Sequence, residues 1–345
     1  MNTLQPPPLL TERITDGKDP VVTLDSLPHK IQKLQTEIAK VVVGQEPTVR
    51  AVLCALFSRG HCLLLGVPGL AKTLLVNALS RTIEMDFRRI QFTPDLMPSD
   101  ITGTEILEEE AATRQRRFLF VRGPVFTQVL LADEINRSPP KTQAALLEAM
   151  QEKTVTVAGK IYALEEPFIV LATQNPIEQE GTYPLPEAQL DRFLFEVPLG
   201  YPTFEHEVQL VQQHSFTPLE RIQPQMTRAE VLAYRDAIAQ IPAAPNVVQY
   251  AVRLVRASRP EDTAAPDYIK RWVRWGASPR ASQYLILAGR ARAACLGRFN
   301  VACEDVAALA PWVLRHRLVR SFQADAEGKQ IEDILAQLLQ DVRPG

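Results

Sequence analysis

The sequence predicts an α/β fold: a parallel sheet covered on both faces by helices, followed by a second, all-helical domain. Three observations carry this expectation. Short apolar runs at 61–65, 129–132, 168–172 and 193–197, and the segment 88–92, read as strands. Segments of helical periodicity lie among them, which points to parallel pairing with helical crossovers. After Tyr201 strand-like runs cease and helical patterns follow at 205–214, 228–241, 247–257, 282–296, 303–316 and 330–342, punctuated by Pro242, Pro245 and Pro260.

Taken in order, residues 1–25 read as a disordered or loosely attached leader, 26–200 as the α/β core and 201–345 as the helical domain. Ile31, Leu34 and Ile38 give 27–39 a helical stripe, and 47–59 repeats the pattern with Val49, Val52, Leu53 and Leu56. Val43-Gly44-Gln45 is a turn between them. Residues 72–85 form a helix carrying Leu74, Leu75, Ala78 and Leu79. Ser138 supplies an N-cap and Pro139 an N1 proline for a helix over 141–151. Two segments break the rhythm. Between Pro94 and Gly123 an acidic run (Glu108, Glu109, Glu110) precedes a basic one (Arg114, Arg116, Arg117), which reads as an inserted hairpin or short helix. Residues 154–164 alternate about Ala158-Gly159-Lys160 and read as a hairpin.

Bulk properties exclude several classes. The 345 residues are 46% hydrophobic and 23% charged, with a net charge of −2, so no global basic field points to nucleic acid. No apolar stretch is long enough to span a membrane, and the first twenty residues are polar and proline-rich, so a cytoplasmic protein is expected. Cys54, Cys62, Cys295 and Cys303 lack metal-site spacing and read as free thiols, the first two buried.

The chemistry begins at Gly66-Val67-Pro68-Gly69-Leu70-Ala71-Lys72-Thr73, after the 61–65 strand and leading to Leu74. A strand, a glycine-bearing loop and Lys-Thr at a helix start cradle nucleotide phosphates. Loop N–H groups and the helix N-terminus face the anion, Lys72 reaches the β- and γ-phosphates, and Thr73 holds Mg²⁺. Ala71 stands where the usual pattern has glycine; its single methyl is expected to keep helical geometry into Lys72. The second signal is Asp133-Glu134, at the end of an apolar strand. There Asp133 is placed to bind Mg²⁺ and Glu134 to activate water.

Three weaker signals leave alternatives open. Asn175-Pro176 fits a turn, or an amide holding the attacking water. Arg192 fits a surface pair with Asp191, or an arginine finger reaching a neighbouring subunit's nucleotide. Arg280, after Pro279 at a helix start, opposes the helix dipole and needs an anion: a nucleotide phosphate, Glu261 or Asp267.

Together these residues resemble the MoxR family of AAA+ ATPases. The marks are Val43-Gly44-Gln45, the 66–73 loop, the string from Gln91 to Asp100, Gly123-Pro124-Val125-Phe126, the run from Asp133 to Arg137, the run from Ala172 to Pro176, and Gly276-Ala277-Ser278-Pro279-Arg280. The resemblance covers about 31–320, and Ala71 is characteristic of the family. It implies a P-loop NTPase AAA+ core with sheet order 5-1-4-3-2, a helical lid, and an insert over about 94–126. That insert and the 154–164 hairpin would face the pore of a ring, hexameric in this family. Val43, Gly44 and Gln45 would border adenine, Asn175 and Arg280 take the two sensor roles, and Arg192 acts in trans, with Arg137 as its rival. The implied activity is Mg²⁺-dependent ATP hydrolysis driving remodelling of a protein client. The family's usual clients carry a von Willebrand factor A domain, with metal insertion or complex maturation as the outcome. Nucleic acid is the rival partner; the mixed charge of the insert weighs against it. A nucleotide-gated scaffold without turnover conflicts with an intact Glu134. The helix at 330–342 is expected to pack on the lid.

Overall fold

The computed structural model describes residues 20–109, 116–178, 180–212 and 219–344. Two helices open the core, α1 (Pro20–Ala39) and α2 (Glu46–Phe57), followed by β1 (Cys62–Leu65), α3 (Lys72–Thr82) and β2 (Phe87–Gln91). A single-turn helix, α4 (Pro98–Thr102), leads into β3 (Gly103–Glu109) and β4 (Arg116–Arg122). Then come β5 (Val129–Asp133), α5 (Pro140–Glu152), β6 (Thr154–Val157), β7 (Lys160–Ala163), β8 (Ile169–Gln174), α6 (Glu187–Leu190) and β9 (Phe195–Pro198).

Five of these strands form one parallel sheet in the order β2-β5-β8-β1-β9. Counted among themselves they give the 5-1-4-3-2 order. β1, β5 and β8 are buried on both faces, which explains their continuous apolar runs, whereas the edge strand β2 leaves Arg88 and Arg89 exposed. Leu64, Leu131 and Leu171 point to one side, into a core shared with α1, α2, α3 and the second domain. Leu63, Leu130 and Val170 point to the other, against Leu146, Leu147 and Met150 of α5.

Several local expectations need correction. Helix α1 starts at Pro20 and buries Leu24, so residues 20–25 belong to a packed helix rather than a loose leader; 1–19 lie outside the described residues. Helix α5 is capped by Pro139 with Pro140 at N1, while Ser138 ends a 3₁₀ turn over Ile135–Arg137. The 94–126 insert is the β3–β4 hairpin plus α4. Its acidic and basic runs face each other, Glu108 opposite Arg117 and Glu109 opposite Arg116, each an ion pair; Glu110 and Arg114 lie outside the described residues. The β6–β7 hairpin turns at Ala158 (φ 47°) and Gly159 (φ 78°), both left-handed as a tight two-residue turn requires.

The second domain contains α7 (Phe204–Gln212), α8 (Arg228–Ala239), α9 (Pro245–Ala257), α10 (Asp267–Trp272), α11 (Pro279–Cys295), α12 (Cys303–Leu314), α13 (Phe322–Ala326) and α14 (Ile331–Asp341). Residues 213–214 of the first expected helix lie outside the described residues. The domain is not wholly helical: β10 (Val273–Trp275) pairs antiparallel with β11 (Val319–Arg320). That ribbon was missed because its strands are two and three residues long. Helix α14 buries Ile334, Leu335 and Leu338 and packs on α12 and α9, as expected of the last helix. The second domain rests on the N-terminal helices, with α8 and α11 against α1 and α2. Among the described residues, no helix is long and apolar enough to cross a membrane.

Candidate ATP site

The loop from Gly66 to Thr73 leaves β1 where the sheet's C-terminal edge is central. The Gly66 N–H donates to Gln174 O at 3.2 Å, tying the loop to the end of β8. Leu70 is buried and Val67 and Leu74 are half-buried, so the loop is anchored in the shared core. Pro68 and Gly69 are exposed; Gly69 has φ +90°, and a Cβ there would meet nothing within 4 Å. Glycine at this position therefore serves backbone conformation and leaves the loop open to a ligand.

Ala71 departs from expectation. It is the N-cap of α3 at φ 56° and ψ 25°, the left-handed region, so it does not continue helical geometry. Glycine would sit there without strain, whereas alanine costs about 1 kcal/mol. Lys72 follows, its Nζ donating to Gly66 O at 2.6 Å across the loop. Burial pulls the Lys72 ammonium below the usual lysine range, opposed by the carboxylates of Asp133, Glu134 and Glu178. The lysine and the two acids therefore share one electrostatic neighbourhood.

Asp133 ends β5 and Glu134 leaves it in the left-handed region, φ 56° and ψ 51°. Ala71 and Glu134, two of the six non-glycine residues with positive φ among the described residues, thus lie after the C-terminal ends of β1 and β5. The Thr173 hydroxyl joins the acids, donating to Asp133 Oδ1 at 2.6 Å and accepting from the Glu134 N–H at 2.8 Å. Arg89 holds Asp133 Oδ2 through Nη2 at 2.7 Å and Nε at 3.1 Å. Gln91 donates to Glu134 Oε2 at 2.8 Å, and Arg137 Nε lies 3.2 Å from the same oxygen. Arg137 also pairs with Glu178, so this candidate for an intersubunit role is engaged within its own chain.

Asn175 directly follows β8 and is buried, its Oδ1 accepting from the Ile177 N–H at 3.2 Å. The turn geometry and the position beside the loop are both present. Gln45 is buried, donating to Gly200 O at 3.2 Å and accepting from Thr48. Gly44 packs so closely on His206 that a Cβ would lie 2.8 Å from its ring, and Val43 is buried. Leu199 N donates to Leu65 O at 2.6 Å, so 199–200 link the Val43–Gln45 turn to the base of the phosphate loop.

The ion pairs around Arg192 and Arg280 differ from the local alternatives named for them. Arg192 is half-buried after α6, but its neighbour Asp191 pairs with Arg317 at 2.6 Å, not with Arg192. No ion pair or side-chain hydrogen bond of Arg192 occurs among the described residues. Arg280 sits in the first turn of α11, as Pro279 at N1 implies, and its nearby anion is Asp191 at 3.5 Å rather than Glu261 or Asp267. Gly276 in the same motif packs against Ser258, where a Cβ would lie 2.4 Å from the carbonyl oxygen.

Thr173, Gln91, Arg89 and Arg317 carry no role in the sequence reading, and Asp191 only that of a pair for Arg192. The available signal was weak: Thr173 is a hydroxyl ending an apolar strand, level with Asp133 once β5 and β8 pair. Thr73 and Asp133 offer hard oxygen donors of the kind Mg²⁺ takes. Among the described residues no group of three or more His, Cys, Asp or Glu could hold a metal, so an ion here would draw its other oxygens from phosphate and water.

Residues 61–195 match the ATPase family associated with various cellular activities (AAA), and 268–338 match the AAA lid domain. Chaperone MoxR1 of Mycobacterium tuberculosis is 44% identical over 314 residues, spanning 91% of this chain and 82% of the relative. Protein MoxR of Methylorubrum extorquens is 32% identical over 330 residues, 92% of each chain. A crystal structure from Cytophaga hutchinsonii, described as a "putative ATPase", superimposes with a TM-score of 0.86 at 41% identity, covering 94% of this chain and 97% of that one. The chain belongs to the MoxR family of AAA+ ATPases and is an ATP-hydrolysing enzyme.

Proposed function

We propose that the protein works as a hexameric ring that uses Mg²⁺-ATP hydrolysis to remodel a protein client. The client we favour carries a von Willebrand factor A domain, and the outcome is complex maturation or metal insertion. The observation that carries the reading is the convergence of Lys72, Asp133, Glu134 and Asn175 at one sheet edge.

In this mechanism Glu134 takes a proton from the attacking water while Asn175 orients it. Lys72 and Arg280 offset charge on the transferring phosphoryl group from within the subunit, and Arg192 does so from the neighbour. Thr73 and Asp133 would hold Mg²⁺, which when bound supplies positive charge to the β- and γ-phosphate oxygens. Val43, Gly44 and Gln45 border the adenine. The Arg192 guanidinium, with no ion pair or side-chain hydrogen bond among the described residues of its own chain, supports the trans assignment.

Two observations favour a protein client over nucleic acid. The net charge is −2, and Arg116 and Arg117 of the insert are neutralised by cross-strand glutamates. The name of the relative Chaperone MoxR1 supports a chaperone-like role. The test is purification of the Glu134→Gln variant in ATP and identification of what it retains. A von Willebrand factor A protein is expected; recovery of nucleic acid instead would overturn the reading.

A further inference from the structure

Asp191 has two oxygens with different fates. Oδ1 accepts from Arg317 Nε at 2.6 Å, and the Arg317 side chain is 2% exposed. That guanidinium also donates to Asp191 O at 3.0 Å, Phe193 O at 2.7 Å and Val313 O, and lies 5.0 Å from the centre of the Tyr284 ring. It is fixed. Oδ2 faces the first turn of α11, with Ser278 Oγ at 3.3 Å and Arg280 Nη1 at 3.5 Å. The Arg280 side chain is 44% exposed, and the pair is long, so little holds it there.

The charge count explains why Arg280 is free to leave. Asp191 and Arg317 balance one to one, and Arg280 is a second cation on the same carboxylate. Its departure leaves no buried charge unpaired, so the large penalty for breaking a buried pair does not arise.

We propose that Asp191 is a positioning residue that competes with nucleotide phosphate for Arg280, so that ATP binding transfers this lid arginine from Asp191 to the phosphates. Asp191 adjoins Arg192, so the same exchange alters the ion pairing of the turn that carries Arg192. The inference rests on the assignment of Arg280 to the phosphates.

A double-mutant cycle on ATP affinity tests it, using a fluorescent ATP analogue and the full-length chain. Asp191→Asn should tighten binding about two- to five-fold when Arg280 is present, the range for an exposed ion pair. In an Arg280→Ala background it should change nothing. Equal effects in both backgrounds would overturn the inference. If Arg280→Ala itself leaves affinity unchanged, the phosphate assignment is what fails. A second measurement avoids altering Asp191. Hydrogen exchange over 187–193 should change when the analogue binds to the unaltered protein, and not when it binds to Arg280→Ala. The same change in both would again overturn the inference.

Discussion

The Thr173 hydroxyl donates to Asp133 Oδ1 at 2.6 Å while accepting from the Glu134 N–H at 2.8 Å, so one side chain on β8 fixes both acids at the end of β5. Thr173 is fully buried, and water cannot replace it. Thr173→Val keeps shape and removes both bonds, each worth about 1–3 kcal/mol where a buried group is left unpaired. The expected result is a fall in kcat of about ten-fold or more, with a smaller change in ATP affinity. Steady-state kinetics and analogue binding check it; an unchanged kcat would remove Thr173 from the site.

Ala71 gives a second prediction. Its left-handed backbone means that Ala71→Gly relieves strain of about 1 kcal/mol while freeing the unfolded chain by a similar amount. Stability and turnover should therefore both stay close to those of the parent. Ala71→Val places a β-branched residue at positive φ and should weaken ATP binding by about ten-fold or more. Thermal unfolding and analogue titration of the two variants distinguish them.

Glu196, on β9, sets a pH dependence remote from the chemistry. It is 8% exposed, and burial pushes its carboxyl up to about 7, with Glu332 adding to the rise while Arg315 and Arg317 oppose it. A carboxyl raised in the folded state stays protonated there while the unfolded chain has released its proton. Stability from this group is thus lost as pH rises from about 4.5 to about 7. Glu196→Gln should gain on the parent by up to about 2–3 kcal/mol between pH 5 and pH 8. Denaturant unfolding at both pH values tests this; a pH-independent difference would contradict it.

Arg192 is tested by mixing. Subunits carrying Arg192→Ala keep their own loop and acids, and subunits carrying Lys72→Ala keep the arginine. Mixed assemblies should recover activity that neither variant shows alone. Mixtures as inactive as the separate variants would mean that Arg192 does not act on a neighbour's nucleotide.

Much of this was legible in the sequence, for identifiable reasons. The strands buried on both faces announced themselves as apolar runs, and their order followed the family resemblance. The loop and Asp133-Glu134 were legible because phosphate chemistry needs those residue types at the end of a strand. The left-handed conformation of Ala71 was not, since a methyl side chain carries no signal of backbone geometry. Nor was the partner of Arg280. Asp191 lies far from it in sequence, and only the packing of the lid on the core brings them to 3.5 Å. The donors facing Asp133 and Glu134 were hidden for the same reason: Arg89 and Gln91 belong to an adjacent strand whose register is set by tertiary pairing.

The central claim is that Glu134 activates water at an ATP site built on the Gly66–Thr73 loop. Glu134→Gln tests it most directly, by ATP-analogue binding and phosphate release on the same preparation. The expected result is affinity within about three-fold of the parent and turnover reduced by at least about 100-fold, the usual size of a general-base contribution. Turnover equal to the parent's would contradict the account.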